Sequence, residues 1–274
     1  MPFRVLYVFS TGLFLIFYNL LGYRKKVTWE NLHLSFPEKN NGDLKKIMDA
    51  FYLNLCDSIV ETIKLLSITE KELEKRMKVN WQELDKAYLN NRKAQVYMSH
   101  QFNWEWGTVL ANWKMQDRFT GIYMPLTNKI FDKLMIKIRS RSGTQLIPIQ
   151  EFNARLKDIQ LEKITWGFIA DQNPSDPKRV SWNTFFGRTT AFAKGAEFVA
   201  RRYNNMVFFG ETIKLKRGYY EIKLKLAFET PKETIDGEIT NAYVNFLEES
   251  IKSQPQNWVW SHRRWKHKPP TFLK

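Results

Sequence analysis

Hydrophobic positions along the chain form one long block first and shorter periodic patterns afterwards. The run VLYVFSTGLFLIFYNLLGY, starting at Val5, carries no charge until Arg24. Eighteen or more apolar residues in succession suffice for a membrane-crossing helix at about 1.5 Å of rise per residue. Ser10, Thr11, Gly12 and Asn19 interrupt the run, so a span and a helix lying in one leaflet both fit. Arg24, Lys25 and Lys26 follow at once, and basic residues beside an apolar segment keep that side in the cytoplasm. A cleaved signal peptide would need a shorter apolar core and small residues at the cleavage position, which Gly22-Tyr23-Arg24 does not supply. The expected division is a membrane anchor over residues 1–26 and one folded domain over 27–274.

Beyond the anchor the period changes. Pro37-Glu-Lys-Asn-Asn-Gly42 is a turn cluster, and Asp43 is expected to cap a helix. Its apolar positions Ile47, Phe51, Tyr52, Leu55, Ile59, Ile63 and Leu66 recur in steps of three and four, the signature of one buried helical face. A short charged helix is expected over 67–77. Strands are expected over 95–98, 122–124, 146–149 and 166–170, separated by helices from near Trp104, over 128–142 and over 154–161. A polar loop covers 171–178, a helix 193–203 and a buried strand 206–210. From Tyr220 to Phe228 apolar residues alternate with Glu221, Lys223 and Lys225, as in a half-exposed strand. A last helix covers 237–253. Strands alternating with helices imply an α/β fold, a mixed central sheet flanked by helices, with functional loops at strand ends.

Composition narrows the partners. The 274 residues are 43% hydrophobic and 15% aromatic, enough for a large core. With 43 Lys+Arg against 28 Asp+Glu the net charge is +15, a field that favours an anionic partner: nucleic acid, an anionic membrane or an acidic protein. Cys56 is the single cysteine, which excludes an intrachain disulfide and a thiolate metal cluster. No glycine-rich phosphate loop, nucleophile elbow or zinc-spaced His/Cys set is present.

Candidate chemistry centres on Ser99-His-Gln-Phe-Asn-Trp-Glu105. A histidine at a strand end and a carboxylate on the following helical turn can meet across that turn. Glu105 would then accept one ring N–H of His100 and leave the other nitrogen free to take a proton. That is the base half of a triad, with the nucleophile left to the substrate. On spacing alone a structural histidine is the commoner outcome.

Four segments in order change that balance. They are SHQFNWEWG; Tyr123-Met-Pro-Leu-Thr-Asn-Lys-Ile-Phe-Asp132 with Arg139-Ser-Arg141; Asp171-Gln-Asn173 with Phe185-Phe-Gly187; and Trp258-Val-Trp-Ser-His-Arg-Arg-Trp-Lys266. Together they make the chain resemble the bacterial lipid A late acyltransferases of the lauroyl/myristoyl type, within the lysophospholipid acyltransferase superfamily. The resemblance implies a glycerolipid acyltransferase-like fold over 27–274. It also implies a membrane-bound O-acyltransferase that moves a fatty acyl chain from an acyl carrier protein thioester to a hydroxyl of a lipid A precursor. By the same resemblance His100 is the general base, Glu105 orients it, and Arg139 and Asp171 contact substrate or form a structural ion pair. Arg141 reads as a solvated helix residue. Met124 stands where many members have arginine, and Asn173 replaces a second acid, which argues against a metal site. No metal or cofactor is implied, and the expected location is the inner (cytoplasmic) membrane with the catalytic domain facing the cytoplasm. The same chemistry on a lysophospholipid, aminolipid or glycolipid is the alternative. A nucleic-acid binder is disfavoured by the apolar anchor and by the lack of a recognition motif.

Overall fold

The computed structural model describes residues 1–115, 118–159, 164–174 and 180–270. The strands are β1 (Met77–Val79), β2 (Ala94–Met98), β3 (Arg118–Tyr123), β4 (Gln145–Pro148), β5 (Ile164–Ile169), β6 (Val180–Phe185), β7 (Arg188–Ala193), β8 (Met206–Lys216) and β9 (Tyr219–Phe228). The helices are α1 (Phe3–Phe14), α2 (Lys25–Ser35), α3 (Asn41–Lys64), α4 (Glu70–Arg76), α5 (Gln82–Leu89), α6 (Trp104–Lys114), α7 (Lys129–Arg139), α8 (Ile149–Ile159), α9 (Gly195–Tyr203) and α10 (Glu238–Ser253). A π-helical stretch, Leu15–Leu20, continues α1.

Seven strands form one mixed sheet in the order β1-β9-β8-β2-β5-β3-β4. The pairs from β8 to β4 are parallel, and β9 turns back antiparallel onto β8. The central strands read as apolar runs because helices cover both faces, as parallel sheets require. Tyr97, Trp166, Phe168 and Phe209 pack on one face against α3, α9 and α10. Val96, Met206, Phe208 and Ile222 pack on the other beneath α6, whose Trp106, Val109 and Leu110 are buried.

The expected α/β architecture with an apolar N-terminal helix is what forms, and the differences are local. Asn40, not Asp43, caps α3: its side chain accepts the Asp43 N–H at 2.9 Å. The expected helix over 128–142 ends at Arg139 and continues as a 3-10 turn, Ser140–Ser142. Arg141 is not simply solvated, since its Nη1 donates to the carbonyls of Leu65 and Ile68. Sequence periodicity did not reveal α2, α5, β1 or the β6–β7 hairpin, all of them short or weakly amphipathic segments. Part of the expected polar loop over 171–178, and the end of the helix expected over 154–161, lie outside the described residues.

α1 lies along α3 and is joined to it by buried polar contacts. Tyr7 Oη donates to Glu61 at 2.7 Å, and Ser10 Oγ donates to Asp57 at 2.6 Å. Arg217, from the β8–β9 turn, forks onto Asp57 and reaches the Tyr7 carbonyl. At the next residue of that turn, Gly218 has φ +74°, and a Cβ there would sit 2.1 Å from Tyr7 Oη. Tyr18 is buried against Phe14 and Tyr52. The outward face of the same helix is apolar: Val8 is 72% exposed, Leu20 81% and Leu21 65%.

Glu61 ties four elements together. It is fully buried and accepts from Tyr7 (2.7 Å), Tyr220 (2.8 Å) and Asn103 (2.9 Å). Burial pushes its carboxyl up, against the lowering effect of those three donors. Its backbone carbonyl also takes the Trp106 indole N–H at 3.1 Å, which fixes the start of α6. Glu61→Ala would strand the buried Tyr220 hydroxyl and Asn103 amide and the half-buried Tyr7 hydroxyl, each costing about 1–3 kcal/mol when left unpaired. The expected loss is at least about 3 kcal/mol of unfolding free energy, read from the shift of the urea midpoint.

Candidate active site

Register brings the candidate residues together. β2 and β5 run parallel with Met98 opposite Ile169. Two residues further along each strand stand His100 and Asp171, so they leave the sheet side by side at its carboxyl edge. His100 Nδ1 lies 2.7 Å from Asp171 Oδ1, and the His100 backbone N–H donates to Asp171 Oδ2 at 3.0 Å. The Trp258 indole N–H adds a third bond to Oδ2 at 2.7 Å. Asp171 is 1% exposed. Burial pushes its carboxyl up, but the charge and hydrogen bonds of His100 and the Trp258 N–H outweigh it, and the net shift is downward. An ionised Asp171 holding Nδ1–H leaves Nε2 as the ring nitrogen available for proton transfer.

The expected pairing of His100 with Glu105 is corrected here. Glu105, on the first turn of α6, faces the carboxyl end of α7 and receives Arg139 as a fork: Nη2 to Oε1 at 2.6 Å and Nε to Oε2 at 2.9 Å. The alternative reading of Arg139 and Asp171 as an ion pair is corrected with it, since Asp171 pairs with His100 and Arg139 with Glu105. The five-residue step from His100 to Glu105 carries the carboxylate round the turn and away from the imidazole, whereas the parallel neighbour strand delivers a carboxylate directly beside it. Trp104 lies between the two pairs, 5.6 Å from the His100 ring and 5.0 Å beneath the Arg139 guanidinium. Arg139 is raised in pKa although its burial opposes this, because Glu105 lies against it. Among the described residues its Nη1 is left without a partner.

His100, Trp104 and Arg139 line a cavity of about 1390 Å³. Much of its wall is apolar and lies between the sheet and α6, formed by Val96, Met98, Gly107, Ala111, Phe119 and Gly167. A Cβ on Gly167 would sit 2.3 Å from Phe119 Cζ, so glycine there lets the Phe119 ring cross the strand.

Trp258 is the residue whose role the sequence did not disclose, although its segment was singled out. Gln101 and Trp258 form an antiparallel bridge, and the Phe102 N–H donates to Asn257 at 2.9 Å. The C-terminal segment thereby runs behind the histidine turn. Asn173 joins the same assembly: its Oδ1 accepts from Arg264, and its N–H meets His262 Nε2 at 3.3 Å. Burial, first among its causes, pushes the His262 imidazole down to about 4, so it is neutral at physiological pH. His262 is therefore part of the scaffold around Asp171. No cluster of His, Cys, Asp and Glu suited to a metal ion occurs among the described residues.

The chain is 22% identical over 273 residues to the lipid A biosynthesis lauroyltransferase of Escherichia coli K12, covering 98% of this chain and 88% of that one. It is also 22% identical over 271 residues to the lipid A biosynthesis palmitoleoyltransferase of the same organism, covering 98% and 87%. A lipid A biosynthesis acyltransferase of Shigella flexneri is similar to the same degree. The family model for bacterial lipid A biosynthesis acyltransferases matches residues 1–267, nearly the whole chain, and the protein is an acyltransferase belonging to that family.

Proposed function

We propose that the protein transfers a fatty acyl chain from an acyl carrier protein thioester to a hydroxyl of a lipid A precursor, with His100 as general base. The observation that carries this reading is the His100–Asp171 pair opening onto a large, mainly apolar cavity. His100 Nε2 takes the proton from the acceptor hydroxyl as its oxygen attacks the thioester carbon. The C–S bond then breaks, and the departing thiolate recovers the proton from the imidazolium. Asp171 fixes the ring and offsets its transient positive charge. The free edge of Arg139, held by Glu105, suits the oxygen that becomes negative during attack. The space between the sheet and α6 suits the acyl chain. The +15 charge suits an acidic carrier protein.

Seating at a membrane fits the same chemistry. Phe3–Leu20 is long and apolar enough to cross a bilayer. Its polar side chains Tyr7 and Ser10 are turned onto α3, however, while Val8, Leu20 and Leu21 face outward. A helix docked lengthwise on the domain presents that face to one leaflet, with Arg24, Lys25 and Lys26 at the headgroups. The reading places the domain on the cytoplasmic side of the inner membrane, where carrier protein and acceptor meet.

His100→Ala is expected to lower kcat by about 10²–10⁴-fold in folded protein, as loss of a general base does. Trp258→Phe keeps the ring but removes one charge-assisted hydrogen bond, worth about 1.5–3 kcal/mol. It should lower kcat roughly tenfold or more with little change in acceptor KM. Near wild-type turnover by either purified variant would refute the assigned roles.

Replacing Val8, Leu20 and Leu21 together by serine should leave the melting temperature within a few degrees and sharply reduce co-sedimentation with anionic vesicles. Each apolar side chain removed from lipid is worth about 1–2 kcal/mol. Full retention on vesicles at high salt would assign membrane residence to another surface.

A further inference from the structure

The cavity that reaches His100 also reaches a group of cations with no part in the proton transfer. Lys194, Arg201, Arg202 and Lys232 line it, with Asp236 as the carboxylate among them. Lys194, Phe198, Arg201 and Arg202 recur at helical spacing, which puts them on one face of α9 and its leading residue. Lys232 comes from the turn Pro231–Glu233. Glu197, the acid within α9, is buried and accepts from the N–H groups of Gly237 and Thr240. It does not line the cavity.

Asp236 bridges the cluster as a carboxylate that a ligand could replace. It is 63% exposed and pairs with both Lys194 and Arg201, the latter at 3.4 Å. Arg201 Nε is buried with no hydrogen-bond partner, a donor already stripped of water. Arg202 and Lys232 have no carboxylate within ion-pair distance among the described residues. An exposed carboxylate contributes little to stability, so displacing it is cheap. A tetrahedral phosphate oxyanion could accept from Lys194 and Arg201 together and draw on Arg202 and Lys232 as well.

We propose that this wall of the cavity is a seat for a phosphoryl group carried by a substrate, separate from the Arg139–Glu105 pair. It rests on the acyl-transfer reading for the identity of the substrate, since that reading supplies two phosphorylated candidates. One is a phosphate on the acceptor's headgroup. The other is the phosphodiester of a carrier protein's pantetheine arm.

The test begins with binding, so that it does not depend on turnover. Equilibrium binding of dodecyl phosphate in neutral detergent micelles is compared with dodecanol for the full chain and three variants. Arg201→Gln and Lys194→Gln should each weaken dodecyl phosphate binding about tenfold or more. Asp236→Asn should tighten it several-fold, an effect of opposite sign that a merely structural ion cluster would not give. Dodecanol binding should be unchanged. Affinities for dodecyl phosphate within about twofold of wild type in all three variants, or equal changes with dodecanol, would overturn the proposal. Kinetics then name the source: a raised acceptor KM, lost when the acceptor is dephosphorylated, assigns the seat to the acceptor. A raised KM for the acyl carrier protein, absent with an acyl thioester lacking phosphate, assigns it to the donor. No rise in either KM would overturn the seat, whereas failure of transfer with intact dodecyl phosphate binding would overturn only the acyl-transfer reading.

Discussion

Two neighbouring parallel strands end level with each other, and the hydrogen bond between His100 Nδ1 and Asp171 Oδ1 follows from that register. Everything else around the site holds this pair in place or builds outward from it. A buried carboxylate is costly unless its oxygens are satisfied. Asp171 is satisfied three times, by the ring and backbone of His100 and by the indole of Trp258. The same three donors fix the imidazole with one nitrogen bound and the other turned to the cavity.

Support comes from parts of the chain far apart in sequence. The C-terminal segment reaches back behind the histidine turn through the Gln101–Trp258 bridge, and Arg264 and His262 engage Asn173, two residues from Asp171. From the opposite side Glu61 of α3 collects donors from α1, β9 and the start of α6. The N-terminal helix is therefore connected to the element that carries Glu105, and through Glu105 to Arg139. The apolar outer face of the N-terminal helix and the candidate site share one buried polar framework, which fixes the orientation of one relative to the other.

Much of the fold was legible because its signals are local. The heptad-like spacing in α3, the alternation in β9 and the apolar runs of β2 and β5 depend on neighbours a few residues away. The β6–β7 hairpin was not legible, since its turn contains Phe186 at positive φ (49°), a conformation that residue type does not announce. α2 was hidden for a related reason: it follows an unbroken apolar run and is itself only weakly amphipathic.

By itself the sequence singled out His100, Glu105, Arg139 and Asp171 as candidates, through motifs and the family resemblance they carry. It could not determine who pairs with whom. Spacing along the chain suggests His100 with Glu105, because five residues are easily spanned. The sheet instead sets His100 beside Asp171, 71 residues away, and leaves Glu105 to Arg139. Strand register and helix placement are fixed by burial over the whole core, and no local pattern encodes their sum. The choice of partner for each charge was thus a tertiary decision.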